Sequence, residues 1–384
     1  MTVHRPPSPR IALEVLVSSS RSRSAVLGLT LVALLVAACS GPGETIGCNG
    51  VPVEVAPVPS AGCTTAPSDP SDGSPEPSLE PTALTVGLGY IPSVQFAPFY
   101  LAQQAGYYEE AGLDVTFQNK IDPDLVALVG AGNIDVGISD GTSVIPAVSQ
   151  AIPIQYIATI YGQFPNVVFA KTSSGIASAA DLEGRKIGTP GRYGSGWIML
   201  QALLGSADLT TEDVEIIEYP DFTQRIAVSE GAVDAATGFA NNEPVQLELE
   251  GDPATVLRID EITPLPGPGL ISGTSTLDTK GDAIAAFVAA TLRAMEEIKD
   301  DPNVGLEAAI VAVPELEATR ETQAAVLAAT IDSWAGPIQE ASGLGAIDEA
   351  GWTESIAFMT ELGLVPNPVT VEDLVRTDLL PGGN

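Results

Sequence analysis

From Leu84 onward the chain alternates short apolar runs of strand length with longer stretches carrying the helical period of about 3.6 residues. "LTVGLGY" predicts a buried strand, and "APFYLAQQAGYYEEAG" an amphipathic helix closed by Gly112. "LDVTFQ" predicts a strand, "DPDLVALVGAGN" a helix, and "IDVGISDG" a strand running into a loop. The same order then returns: "KIGTPG", "SGWIMLQALLGSA", "VEIIEYP", "TQRIAVSEGA" and "VDAATGFANN" read as strand, helix, strand, helix, strand. The match is closest at "GNIDVGI" and "GAVDAATG", each with a glycine ending a helix before a strand that opens Ile-Asp or Val-Asp. Asp135 and Asp234 fall 99 positions apart, and Val86 and Ile187 fall 101 apart. Strand–helix alternation predicts parallel sheets covered on both faces, so the repeat predicts two similar α/β lobes.

Between the units, "PIQYIATIYGQFPNVVFAKTSSG" is long enough to cross from one lobe to the other, and a second crossing is expected near "GPGLISGTSTLD". Beyond it the pattern is almost wholly helical, in "DAIAAFVAATLRAMEEIKDD", "VGLEAAIVAV", "ETQAAVLAATIDSWAG" and "DEAGWTESIAFMTELG". These helices are expected to complete the first lobe. Two lobes joined twice form a hinge over a cleft, and ligands of open α/β sheets sit beyond the carboxyl ends of the strands.

The amino-terminal region follows other rules. Arg21 and Arg23 precede "AVLGLTLVALLVAAC", a run of signal-peptide length that is short for a bilayer span. It ends Val36-Ala37-Ala38-Cys39, which resembles the bacterial lipobox; an ordinary secretory peptide with an incidental cysteine is the alternative. Residues 40–82 are rich in Pro, Ser, Gly and acid without periodicity, and read as a disordered tether. With Cys39 lipidated, Cys48 and Cys63 remain, either as a disulfide pair or as two free thiols.

Charge and chemistry narrow the function classes. The whole chain carries a formal charge of −33. Removing residues 1–38 takes away four basic residues and one acidic residue, leaving the remainder near −36. Such a surface repels nucleic acid. The single histidine is His4, inside the leader, so residues 39–384 contain no imidazole for a triad or a zinc site. Carboxylate-only chemistry stays open. "KIGTPGRYGSGWIMLQALL" packs glycines between a strand and a helix, the setting for backbone amides at a helix start. It is no Walker loop, because Ser195 and Trp197 follow Gly194 and Gly196 where a lysine is needed. Only the final Gly-x-x-Gly of a dinucleotide fingerprint is present, at Gly191 and Gly194.

The segments "VQFAPFYLAQQAGYYEEAGLDV", "GNIDVGI", "SAADLEGRKIGTPG" and "WTESIAFMTELGLVPNPVTVEDL" together resemble the ABC-importer solute-binding proteins of the nitrate, alkanesulfonate and thiamine-pyrimidine superfamily, across residues 84–380. "GRYGSGW" and "GFANNEPVQLE" resemble its thiamine-pyrimidine and riboflavin branch. The resemblance implies a two-lobed periplasmic-binding-protein fold of type II, with two hinge crossings and a helical carboxy-terminal region. The expected organisation is a signal peptide at 1–38, lipidated Cys39 and tether at 39–82, first lobe at 83–170 and 271–384, and second lobe at 171–270. It implies a non-catalytic, monomeric, extracytoplasmic lipoprotein. This would deliver riboflavin or a thiamine-pyrimidine precursor to a permease and its ATPase, with no cofactor and no metal. The alternatives are an alkanesulfonate, taurine or nitrate binder, a sensor, or a pyrimidine-synthase-like enzyme. The cysteine-rich motif and histidine of the fungal synthases are absent.

Candidate ligand residues are those at predicted strand ends. In the first lobe they are Tyr90, the following loop to Phe96, Asp140, Thr142 and Tyr161; in the second they are Tyr193, Ser195, Trp197, Asn241, Asn242 and Glu243. Aromatic faces suit stacking on a flat ring, and the amides suit a ring's polar edge. Core packing is the alternative for each aromatic. Helix capping is the alternative for Asp140 and for the Asn241–Glu243 cluster. Phe99, Tyr100 and Tyr107 are assigned to the core. Arg192 is the one basic residue near a predicted strand end that a sulfonate or nitrate could use.

Overall fold

Leu84, Val86 and Leu88 point to one face of strand β1 (Thr82–Leu88) and are almost completely buried. On its other face Gly87 lies under Leu125, where an added Cβ would fall 2.3 Å from the leucine methyl. This strand opens the computed structural model, which describes residues 80–119 and 124–382. The leader, Cys39, the tether, and Cys48 with Cys63 lie outside the described residues.

The first sheet takes β1, β2 (Leu113–Asn119), β3 (Val136–Ser139) and β4 (Ile154–Thr159). Its helices are α1 (Ala97–Gln104), α2 (Tyr107–Glu110), α3 (Asp124–Gly130) and α4 (Gly141–Ser149). The single helix expected over 97–112 is thus two, broken at Ala105–Gly106. The second sheet contains β5 (Asn166–Lys171), β6 (Lys186–Thr189), β7 (Glu215–Glu218), β8 (Ala235–Phe239) and β9 (Ala254–Arg258). It is flanked by α5 (Gly194–Gly205), α6 (Gln224–Ser229) and α7 (Glu243–Leu249). Strand β10 (Gly269–Gly273) then returns to the first sheet.

The strand orders are β2-β1-β3-β10-β4 and β7-β6-β8-β5-β9. In each sheet the first three strands are mutually parallel and the fourth runs antiparallel to both neighbours. That corrects the expectation of parallel sheets. The fourth strand of each sheet arrives across the hinge, β5 from the first lobe and β10 from the second, so it enters in the opposite direction. The boundary expected after residue 170 also moves: β5 lies wholly in the second sheet, and the crossing precedes Asn166. The two crossings touch, with Ile160 N and Tyr161 N both donating to Pro268 O at 3.1 and 2.9 Å.

The helices α8 (Thr274–Asp300), α9 (Pro302–Ala312) and α10 (Arg320–Trp334) pack Phe287, Leu306 and Val326 into the core shared with β1 and α1. Below them, α12 (Glu349–Glu361) and α13 (Val371–Leu374), which follow the short α11 (Pro337–Ser342), set Trp352 and Leu374 against Tyr156 of β4. Each such fully buried side chain contributes about 1.5–3 kcal/mol. No described helix is long and apolar enough to cross a membrane.

The repeat read from Asp135 and Asp234 has a structural cause. Each aspartate precedes the innermost parallel strand of its sheet, β3 or β8, and accepts a backbone N–H of the parallel neighbour, from Thr85 of β1 at 2.9 Å and Lys186 of β6 at 2.8 Å. Each also donates its own N–H back to the same residue's carbonyl. Both are ion-paired, Asp135 with Lys280 at 2.8 Å and Asp234 more loosely with Arg185 at 3.7 Å, and Asp135 is the less exposed. Replacing Asp135 with alanine orphans a part-buried strand N–H, at about 1–3 kcal/mol, whereas water can take the place of Asp234 at the exposed Lys186. Urea unfolding should show Asp135→Ala losing more stability than Asp234→Ala; equal losses would mean that burial and Lys280 add nothing.

Candidate functional site

The carboxyl ends of β1, β3, β6 and β8 face one cavity between the lobes, enclosing about 180 Å³. Nine of the eleven predicted residues line it: Tyr90, Phe96, Asp140 and Tyr161 from the first lobe, and Tyr193, Ser195, Trp197, Asn242 and Glu243 from the second. Thr142 and Asn241 do not. Both are buried one step behind the wall, Thr142 bonded to Asp140 and Asn241 bonded between the lobes.

The glycine-rich loop does open a helix. Gly194 begins α5 with φ +67°, a left-handed conformation that favours glycine. No side chain caps this helix, and Gly194, Ser195 and Gly196 line the cavity, so first-turn amides are available to a carbonyl or hydroxyl oxygen. Trp197 sits one residue further along, partly buried against the second lobe's core.

Asp140 is both a cap and a wall residue. Its Oδ1 accepts from Thr142 N, Thr142 Oγ1 and Ser143 N at 3.0, 2.6 and 3.2 Å, which satisfies the start of α4. Its Oδ2 faces Asn166 Nδ2 of the other lobe at 3.4 Å. Glu243 folds back so that Oε2 accepts the Phe239 N–H at 2.8 Å. Burial raises both carboxyls above their ordinary range, only partly opposed by these bonds and, for Glu243, by the charge of Arg225. The capping expected from Asn242 is absent: its Oδ1 accepts from Gln246 Nε2 at 2.7 Å instead.

Several contacts tie the lobes around the cavity. Asn241 Nδ2 donates to Gln95 Oε1 at 3.0 Å and to Thr330 Oγ1 of α10 at 2.8 Å. Asp140 meets Asn166. Tyr90 and Phe222 meet edge to face, centroids 5.0 Å apart at 85°, a pairing that contributes about 0.5–1.5 kcal/mol. Phe222 holds φ +60°, a conformation costing a bulky residue about 1–3 kcal/mol. The phenol of Tyr90 is raised well above its usual value, first by burial and then by Glu243.

Sequence reasoning passed over Asn166, Thr189, Phe222, Gln224 and Thr237, which also line the wall. The strand-end rule applied to β7 points to Phe222 and Gln224. Asn166 escaped because its strand was assigned to the wrong lobe. Phe99 is core, as assigned, and also touches the cavity; Tyr100 is core, with burial pushing its phenol up to about 12. Tyr107 packs against the edge of the same core, half-buried, with Arg293 3.6 Å from its ring centroid. Arg192 does not line the cavity: it is exposed, pairs with Glu218 at 3.0 Å, and lies 5.3 Å from the Trp197 ring.

Residues 93–304, over half of the chain, match the family described as NMT1/THI5 like. The riboflavin-binding protein RibY of Chloroflexus aurantiacus is 32% identical over 368 residues, spanning 94% of this chain and 99% of that protein. The chain belongs to the NMT1/THI5-like family. The formylaminopyrimidine-binding protein of Halalkalibacterium halodurans is 26% identical over 303 residues, 75% of this chain and 88% of its relative. Among solved structures, the alkanesulfonate-binding protein SsuA from Xanthomonas axonopodis pv. citri, bound to MOPS, superposes with a TM-score of 0.61 at 18% identity. That match covers 78% of this chain and 100% of the other. The fold of this family member is the two-lobed periplasmic-binding-protein fold.

The raised pKa of Glu243 has a measurable consequence. A carboxyl whose folded pKa exceeds its unfolded value of 4.5 stabilises below that value and loses the contribution as pH rises through the folded pKa. Glu243→Gln cannot ionise and escapes this loss. Its melting temperature relative to the unsubstituted protein should therefore increase from pH 4 to pH 8. A difference that stays flat with pH would show that the carboxylate is buried at no cost.

Proposed function

We propose that the protein is an extracytoplasmic solute-binding lipoprotein of an ABC importer that captures a flat nitrogen heterocycle, riboflavin first, between its lobes. The observation that carries this reading is a cavity walled by Tyr90, Phe96, Tyr161, Tyr193 and Trp197 with no lysine or arginine among its described lining residues. Aromatic walls accept a ring face, and Asn242, Gln224 and the α5 amides accept its polar edge. The likeness to a riboflavin-binding protein along almost the whole chain supports the same ligand. A sulfonate or nitrate would need a cation, and Arg192 lies outside the cavity, held by Glu218. A non-catalytic role is supported by the lack of histidine and cysteine after Cys63.

A second reading, a thiamine-pyrimidine precursor, is favoured by size. The cavity of about 180 Å³ is smaller than the ~300–1,000 Å³ of sites for drug-sized ligands, so as it stands it suits one ring. A three-ring flavin requires the lobes to part at the paired crossings. The formylaminopyrimidine-binding relative points the same way.

A thermal-shift panel of riboflavin, aminopyrimidines, taurine, nitrate and amino acids separates these classes. A ligand at about 100 times its dissociation constant should add roughly 2.7 kcal/mol of stability. Riboflavin should quench the fluorescence of Trp197, and Trp197→Ala should weaken a stacked ring by about 1–3 kcal/mol. Stabilisation by taurine or nitrate, with every heterocycle inert, would falsify the aromatic-clamp reading.

The partners under this reading are the ligand, a permease with its ATPase, and the membrane reached through lipid on Cys39; a monomer suffices. Cys39→Ser should abolish incorporation of labelled fatty acid and release the protein from membranes. Retained label and membrane association would remove the anchor from the proposal.

A further inference from the structure

Resting on the heterocycle reading, we infer that the cavity selects the unphosphorylated form of its ligand, with Asp140 and Glu243 as the residues that turn a phosphate ester away. The two carboxylates reach the same cavity from different lobes, and their residues are only 4% and 7% exposed. Neither forms an ion pair in the structure; Arg225, the cation whose charge reaches Glu243, is engaged with Glu250. Phosphate-binding sites ordinarily supply arginine forks or lysines, and the described lining has none.

The unpartnered atoms of the wall point the same way. Gln224 is 1% exposed, its Nε2 donates to Thr237 O at 3.3 Å, and its Oε1 has no partner. A carbonyl oxygen can only accept. Ser139 Oγ, also buried and unpartnered, can accept or donate. An imide N–H, a ring amino group or a hydroxyl satisfies such a wall. A phosphate dianion brings only acceptors to a wall of acceptors, and it places further negative charge beside Asp140 and Glu243, whose own charged forms burial already disfavours.

One feature of the site favours anions, the uncapped first turn of α5. A helix terminus offers about half a unit of positive charge, less than the negative charge that either Asp140 or Glu243 carries once ionised. The amides therefore serve a neutral ring oxygen.

Calorimetry on the full chain tests this with two pairs, riboflavin against riboflavin 5′-phosphate, and 4-amino-5-hydroxymethyl-2-methylpyrimidine against its phosphate. The bound pair should favour the free alcohol by about thirtyfold or more, the scale of uncompensated charge near a partly buried group. That preference should persist from about 0.1 M to about 1 M salt, because screening removes only the long-range repulsion of the acidic surface. In Asp140→Asn, Glu243→Gln and the double variant, each checked for a cooperative melt, the ratio should shrink stepwise. The unsubstituted protein alone can overturn the inference, by binding a phosphate ester as tightly as its alcohol or by losing its preference in high salt. An unchanged ratio in a folded double variant also overturns it. If none of the four compounds binds, the heterocycle reading itself fails, a distinct result.

Discussion

Each lobe depends on a strand that the other lobe delivers. β5 and β10 occupy the same fourth position in their sheets, both antiparallel, and both reach it across the hinge. Neither sheet is complete until the chain has crossed. The crossings bond to each other through Pro268 O, so the carboxyl ends of the parallel strands are held facing one another. The cavity follows from that geometry: strand ends, where loops carry polar and aromatic side chains, are the surfaces opposed across the hinge.

Around the cavity the lobes meet through a few specific contacts. The buried amide of Asn241 spans Gln95 and Thr330, and a polar link this deep is costly to leave unmade. The Tyr90–Phe222 pair holds a backbone that phenylalanine does not otherwise favour. Contacts of this kind add to the packing of α4 on α5 and of α7 on α10, which also joins the lobes. Hinge closure around a ligand is the expected use of such a two-lobed shape.

The cavity's chemistry is one-sided. Aromatic faces, a free glutamine carbonyl and two carboxylates without cations make it rich in acceptors and poor in positive charge. A fold of this kind does not fix a ligand class, which resides in the lining rather than in the lobes.

Much of this was legible in the sequence. The period of apolar positions located the six parallel strands and the longer helices, though β4 and β5 read as one crossing and β9 was not read, and the Asp135/Asp234 repeat betrayed two lobes because each aspartate performs one local task, closing a strand pair. Strand-end residues such as Tyr90, Asp140, Tyr193 and Glu243 were readable because a parallel strand's carboxyl end is marked locally by the loop that follows it. Other features are set by partners distant in the chain. The sheet that β5 joins, and its antiparallel sense, depend on which edge is free once the lobes exist. Asn241 withdraws behind the wall because Gln95 and Thr330, 146 and 89 residues away, take its hydrogen bonds. Tyr107 sits at the edge of the core, where Arg293, 186 residues away, covers its ring. Local pattern determined the elements and most of the loops that carry the site; only tertiary structure decided which side chains face the cavity, because burial and hydrogen-bond partnership are settled between segments rather than within them.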